Sequence, residues 1–266
     1  MKRLIMLCAL GGAMAAEPSL YLNYSAHPPA EALLRHTVCI LDPAAKADLK
    51  PGQAKGNTFY AYLSLVEVAA TSPKLATAKA LGVRFAGENT AWNSRLMDVT
   101  QPAWRRFLLE ELAAPAAALG YDGFFLDTAD SLSLLPKDID SAKAQAAMLD
   151  AIRTLKQRWP EKKIILNRGF DLLPELKSAL AGLLVESVYQ SFDPATQRYK
   201  AVPPAGTRWL EGKISQAQGL GLVVYAVDYV NPVQLQLAGK TALKLRSLGV
   251  VPLVTTPDLS GQILAP

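Results

Sequence analysis

The chain has 266 residues, half of them hydrophobic, a net charge of +5 at pH 7, two cysteines and two histidines. That is enough chain for one domain with a sizeable core, and α/β barrels of about 200–250 residues are commonly single domains. The mild positive excess, without basic runs interleaved with aromatics, argues against nucleic-acid binding.

In chain order, Lys2-Arg3 precede an apolar run from Leu4 to Met14, and Ala13, Ala15 and Ala16 lead to Glu17-Pro18. A basic start, a short apolar core and small residues before a cleavage point read as a secretory signal peptide over 1–16, with 17–266 as the mature domain. The run is too short to span a bilayer, and no later stretch is long and apolar enough. The expected location is periplasmic or secreted. Cleavage takes the net charge to +3 and removes Cys8, leaving Cys39 without a disulfide partner. Cys39 lies inside Thr37–Leu41 and is expected to be a small buried apolar residue.

Eight apolar runs follow: Leu20–Tyr24, Thr37–Leu41, Phe59–Leu65, Gly123–Leu126, Lys163–Leu166, Leu183–Val188, Leu222–Val227 and Val250–Val254. Helical patterns lie between most of them. Thr100 and Pro102 open one, with Trp104, Phe107, Leu108, Leu112 and Ala116 on its apolar face; others run Ser141–Trp159, Asp171–Leu180 and Val233–Leu248. Trp104 and Trp159 read as packing residues. The connection between the second and third runs is short and lacks a clear helix. Strand alternating with helix implies a parallel sheet with right-handed crossovers, and eight such strands fit a single-domain (β/α)8 TIM barrel. An open doubly wound sheet would want a Gly-rich phosphate loop after its first strand; Ser25-Ala26-His27-Pro28-Pro29 stands there instead.

Residues just beyond the runs would gather at the catalytic face of a barrel. They are Tyr24, Asp42, Glu67, Asp127, Asp130, Asn167, Arg168, Glu186, Tyr189, Asp193, Asp228 and Tyr229. Seven are carboxylates, so an acidic cleft suited to a positively charged ligand is expected. No zinc or iron site is expected, because His27 and His36 have no ligand spacing and read as surface or loop residues. No EF-hand-like calcium run and no G-x-S-x-G nucleophile motif appears. Asp42 and Asp228 are expected in the cleft, because an unpaired buried charge is costly.

Asp127 ends Gly123-Phe124-Phe125-Leu126, and Glu186 follows Leu183-Leu184-Val185. Asp127 alone could be a helix cap; the repeat of the pattern with Glu favours chemistry. Two carboxylates on nearby strands, ringed by Tyr24, Tyr62, Tyr189 and Tyr229, fit glycoside hydrolysis, which needs a proton donor and a nucleophile or base. Strands two apart are separated by roughly 9–10 Å, so converging side chains reach the ~5 Å of a retaining enzyme, with the wider inverting gap still open. Burial of Glu186 suits a general acid, and Asp127, beside an open loop, suits an ionised nucleophile. The tyrosines either stack on sugar rings or pack under loops. Arg168 either pairs with Glu186 or Asp127 or covers the surface.

At these residues the chain resembles a known group. Tyr121-Asp122-Gly123-Phe124-Phe125-Leu126-Asp127-Thr128-Ala129-Asp130 is similar to a signature of the endo-α-1,4-polygalactosaminidase-like barrels, glycoside hydrolase family 114 and relatives. Ile40-Leu41-Asp42-Pro43, Ala61-Tyr62-Leu63-Ser64-Leu65-Val66-Glu67, Asn167-Arg168-Gly169-Phe170, Leu184-Val185-Glu186-Ser187 and Val227-Asp228-Tyr229-Val230 follow in order. The resemblance implies an endo-acting hydrolase of galactosamine-rich polysaccharide, catalytic carboxylates at Asp127 and Glu186, and neither cofactor nor metal. De-N-acetylated galactosamine is cationic at neutral pH and would suit an acidic cleft. One departure is Val66, where relatives often have Gly before the Glu; its side chain is expected to narrow the cleft or shift Glu67. The expected partner is the amino-sugar polysaccharide, met by a monomer alone or with exopolysaccharide-system proteins. The alternative is a non-catalytic polysaccharide-binding barrel in an export or biofilm assembly.

Overall fold

A computed structural model describes residues 17–266; the signal peptide read over 1–16 lies outside the described residues. The strands are β1 (Leu20–Asn23), β2 (Val38–Leu41), β3 (Thr58–Ser64), β4 (Glu67–Ala69), β5 (Phe85–Asn89), β6 (Ser94–Met97), β7 (Gly123–Asp127), β8 (Lys163–Asn167), β9 (Gly182–Glu186), β10 (Gln190–Asp193), β11 (Arg198–Ala201), β12 (Val223–Tyr229), β13 (Val251–Thr255) and β14 (Ile263–Ala265). The main sheet runs β1-β2-β3-β7-β8-β9-β12-β13-β14. Its first eight strands are parallel and correspond to the eight apolar runs; β14 adds antiparallel to β13. Asn23 bridges Ser260, and the Tyr24 N–H donates to the Leu259 carbonyl at 2.8 Å, drawing the first and last parts of the sheet together. This is the expected (β/α)8 barrel.

Strand alternation explains why the runs are continuously apolar. Leu22, Ile40, Tyr60, Phe125, Ile165, Leu184, Val227 and Leu253 form a core inside the barrel. Their chain neighbours Cys39, Leu41, Phe59, Phe124, Leu126, Ile164, Leu183 and Val185 pack outward into a larger core with the helices. A strand buried on both faces cannot show a polar alternate, and each such Leu or Phe contributes about 1.5–3 kcal/mol by leaving water. Cys39 is fully buried, as expected. Gly123 makes room for a neighbour: a Cβ there would lie 2.7 Å from the Tyr60 ring and 2.3 Å from the Lys163 carbonyl oxygen.

The helices depart from expectation where local rules compete. Ser141–Arg158 is present, capped by Asp140, whose carboxylate accepts from the Ala142 and Lys143 N–H groups, and Trp159 ends it. The Asp171–Leu180 pattern is a 3-10 turn, Phe170–Leu172, and one helical turn, Leu173–Leu176. The last helix is Leu235–Ser247. Pro102–Ala118 is continuous but widens to a π-helix over Phe107–Ala113. Pro115 lacks an N–H and crowds the carbonyl four residues back, and Lys74 Nζ donates to that Glu111 oxygen at 2.7 Å instead. The extra residue in the turn moves the buried face from Leu112 to Leu109 and Ala113. A single turn, Lys50–Gln53, stands in the short β2–β3 connection. Sequence reading missed the helix Pro204–Gly219, the antiparallel sheet β4-β6-β5 and the hairpin β10-β11. No helix among the described residues is long and apolar enough to cross a membrane.

Candidate active site

Inward-facing positions at the carboxyl ends of the strands converge on the barrel mouth. Asp127 closes β7, Asn167 closes β8, Glu186 closes β9 and Tyr229 closes β12. All four belong to the same alternation as the barrel interior, two residues on from Phe125, Ile165, Leu184 and Val227. Asn167 is the link between the two acids: its Nδ2 donates to Asp127 Oδ1 at 2.8 Å and to Glu186 Oε1 at 2.7 Å. Two oxygens held by one nitrogen at those lengths lie within about 5.5 Å of each other, the range of a retaining carboxyl pair. The Tyr229 hydroxyl donates to Glu186 Oε2. Tyr24 and Tyr62 pack ring to ring at 4.9 Å, Tyr62 on the strand beside β7.

The two carboxyls are electrostatically unequal. Burial raises the Glu186 pKa, and the negative charge of Asp127 raises it further, against the hydrogen bonds from Tyr229 and Asn167. Burial also raises Asp127, contrary to the expectation of an open ionised group, but the Asn167 amide, the Thr128 N–H and the Tyr62 hydroxyl all favour its charged form. Two carboxylates this close disfavour double ionisation, so the pair shares one proton. Tyr229 stays a neutral phenol, its pKa held well up by burial and by the negative charge of the carboxyl pair.

The seven expected carboxylates do not form one acidic cluster, because each outlying one has acquired a local role. Asp130 is exposed and accepts from Arg168 Nε at 2.8 Å. Arg168 therefore pairs with Asp130 rather than with either central carboxylate, and its Nη1 donates to the Glu186 main-chain carbonyl. Glu67 is buried and accepts from Asn89 at 3.1 Å and from the Ser94 and Ser131 hydroxyls. It ties β4, β5 and β6 to the turn after β7, and its charge helps raise the Tyr62 pKa. Val66 is fully buried in the outer core, so its side chain does not narrow the cleft. Asp42 is half-buried and accepts from the Ala44 N–H at 2.8 Å, capping the turn after β2. Asp193 sits in the β10–β11 hairpin and pairs with Lys200 at 2.9 Å.

Asp228 is the clearest correction: it is completely buried, not in the cleft. Alternation points it out of the barrel while Tyr229 points in; three backbone N–H donors, from Val188, Tyr189 and Gln190, offset part of the cost of its charge, and burial still lifts its pKa to about 6. Tyr189 also lies outside the mouth, its hydroxyl 3.0 Å from Glu211 Oε1 and its ring under Lys244. His27 is exposed, but His36 is buried and stacked on Tyr21 with its ring centroid 5.3 Å away. Trp104 and Trp159 are packing residues, as expected; the Trp104 indole donates to the Leu65 carbonyl at 2.7 Å.

Sequence reasoning missed Thr128. Its backbone is left-handed (φ 63°), a conformation costly for a β-branched residue, and its hydroxyl accepts the Leu65 and Val66 N–H groups while its own N–H donates to Asp127 Oδ1 at 2.8 Å. No local signal marks a threonine for that conformation. Among the described residues, no cluster of three or more His, Cys, Asp or Glu side chains is arranged to hold a metal ion.

Comparison with known proteins agrees with this fold. The glycoside hydrolase domain of PelA from Pseudomonas aeruginosa is 34% identical, with 91% of this chain and 96% of that one aligned at a TM-score of 0.84. Ega3 of Aspergillus fumigatus, solved in complex with galactosamine, shares the fold at a TM-score of 0.68 but only 14% identity, over 92% of each chain. A search of the curated proteins found no match. The sequence model of glycoside-hydrolase family GH114 matches residues 14–265. A barrel with two linked carboxyls at its mouth, matched in sequence and in shape from end to end, belongs to glycoside-hydrolase family GH114.

Proposed function

We propose that this protein is an exported, endo-acting hydrolase of α-1,4-linked, galactosamine-rich polysaccharide that works with retention through Asp127 and Glu186. The observation that carries the reading is the single Asn167 amide nitrogen shared by the two carboxylates, at 2.8 and 2.7 Å. In this reading Glu186 carries the pair's proton and delivers it to the glycosidic oxygen as the carbon–oxygen bond breaks. Asp127 attacks the anomeric carbon and forms a glycosyl ester. Glu186, now ionised, takes a proton from the incoming water, whose oxygen displaces Asp127 and restores both groups.

The sugar class is supported by the family and by the galactosamine bound to Ega3. The pair carries one net negative charge at the mouth, which favours an ammonium sugar. Tyr24 and Tyr62 offer apolar faces for sugar rings. Export rests on the signal peptide read over 1–16.

Mass spectrometry of products from partially de-N-acetylated α-1,4-galactosaminan, with the mature protein and Glu186→Gln, tests this. Oligosaccharides from the wild type alone, with the anomeric configuration retained in early products, are expected. No products while polymer stays bound would leave a binding barrel, and early inversion would remove Asp127 as nucleophile.

A further inference from the structure

The one fully buried carboxylate of β12 that takes no part in this chemistry is Asp228. Beyond Glu186 the chain leaves the barrel sheet for the hairpin, and the N–H groups of Val188, Tyr189 and Gln190 point together into the space outside β12. Three successive N–H groups make a concavity that favours a negative group. Asp228 fills it: Oδ1 accepts from Val188 at 2.6 Å, and Oδ2 from Tyr189 at 2.8 Å and Gln190 at 2.7 Å.

The same short segment is tied twice more. Arg168 donates to the Glu186 carbonyl, and the Thr207 hydroxyl donates to the Val188 carbonyl at 2.8 Å. β12 lies beside β9 with Val227 opposite Glu186. Its next two residues therefore act on the two sides of the sheet: Asp228 holds the main chain outside, and Tyr229 holds the Glu186 carboxyl inside.

We propose that Asp228 is a positioning residue for the reaction, anchoring the main chain just past Glu186 so that the Glu186 carboxyl stays against Asn167 and Tyr229, opposite Asp127. The inference rests on the reading of Glu186 as the proton donor. Asn at this position matches the shape but presents one acceptor oxygen to three donors and turns an amino group toward an N–H.

The test compares wild type, Asp228→Asn, Tyr229→Phe, the double variant, Gln190→Pro and Glu186→Gln. Reducing-end release from partially de-N-acetylated galactosaminan is measured, with circular dichroism to establish folding. Folded Asp228→Asn is expected to lose roughly 30- to 300-fold in kcat with KM within about threefold. If both side chains act by placing Glu186, their losses do not multiply, and the double variant falls close to the worse single one. The basic limb of the pH–rate profile is expected to move up, because Glu186 drifts from donors that favour its ionised form; mere removal of the Asp228 charge would move it down.

A folded Asp228→Asn with kcat within about threefold of wild type, fully multiplying losses, or a limb that moves down would each overturn the proposal. If Asp228→Asn does not fold, Gln190→Pro decides, since it deletes one N–H donor and leaves the carboxylate in place. A loss of about tenfold in kcat supports the proposal, and no loss overturns it. An active Glu186→Gln would remove the reading of Glu186 itself. An inactive Glu186→Gln beside a fully active Asp228→Asn removes only the positioning role.

Discussion

Asn167→Ala is the sharpest perturbation of the carboxyl pair, because one nitrogen serves both acids. A hydrogen bond to a charged group contributes about 1.5–3 kcal/mol, and Asn167 makes two, at 2.8 and 2.7 Å. They do not act alike during the reaction. The bond to Asp127 weakens as its charge passes into the glycosyl ester, and the bond to Glu186 strengthens as that group ionises. The gain specific to the transition state is therefore one charged bond, about 1.5–3 kcal/mol, or roughly 10- to 150-fold in kcat. The pH–rate profile carries the second signature. The Asn167 amide lowers the pKa of both carboxyls, so its loss lets both rise. The acid limb, set by ionisation of Asp127, and the basic limb, set by deprotonation of Glu186, should both move to higher pH. Initial rates on the galactosaminan between pH 4 and about 9 read both quantities. A folded variant with kcat within about threefold of wild type and an unmoved profile would refute the linkage.

Three further outcomes are expected. Glu67→Ala strands the Asn89, Ser94 and Ser131 donors, costing about 2–4 kcal/mol and lowering Tm by roughly 5–15 °C, while kcat of the folded protein stays near wild type; a kcat collapse without thermal loss would put Glu67 back in the cleft. Burial lowers the His36 pKa from 6.5, so the fold holds it neutral; this stability is present above the unfolded value and lost as pH falls through and below it. His36→Phe, which keeps the stack on Tyr21, should flatten the fall in Tm between pH 7 and 5, and parallel curves would show that His36 carries no such linkage. Gly123→Ala forces a Cβ to within 2.3 Å of the Lys163 carbonyl and 2.7 Å of the Tyr60 ring, and should destabilise by about 1–3 kcal/mol or more in denaturant titration; a neutral result would mean that the barrel floor relaxes freely.

The sequence by itself determined the barrel. Eight apolar runs spaced by helical patterns are what strands buried on both faces require, and each run became a parallel strand. The two carboxylates at the ends of Gly123–Leu126 and Leu183–Val185 were also legible, because an acid closing an apolar strand is a strong local departure. The helix Pro204–Gly219 was not, since its sequence carries only a weak apolar stripe and its buried face amounts to Leu210, Ile214 and Ala217. The hairpin β10-β11 was missed because its strands are short, one half-buried and the other largely exposed, with no apolar run to mark them. What only the tertiary structure decided is which polar residues share the mouth. Asp228 and Tyr229 are adjacent in the chain yet face opposite sides of the sheet, so one supports the backbone and the other touches Glu186. Asn167 links two acids that are 40 and 19 residues away along the chain, and Glu67 is held by serines 27 and 64 residues distant. Strand phase is a local property that a sequence displays; the partner that satisfies a buried charge is set by which strands lie side by side, and that is known only once the barrel has closed.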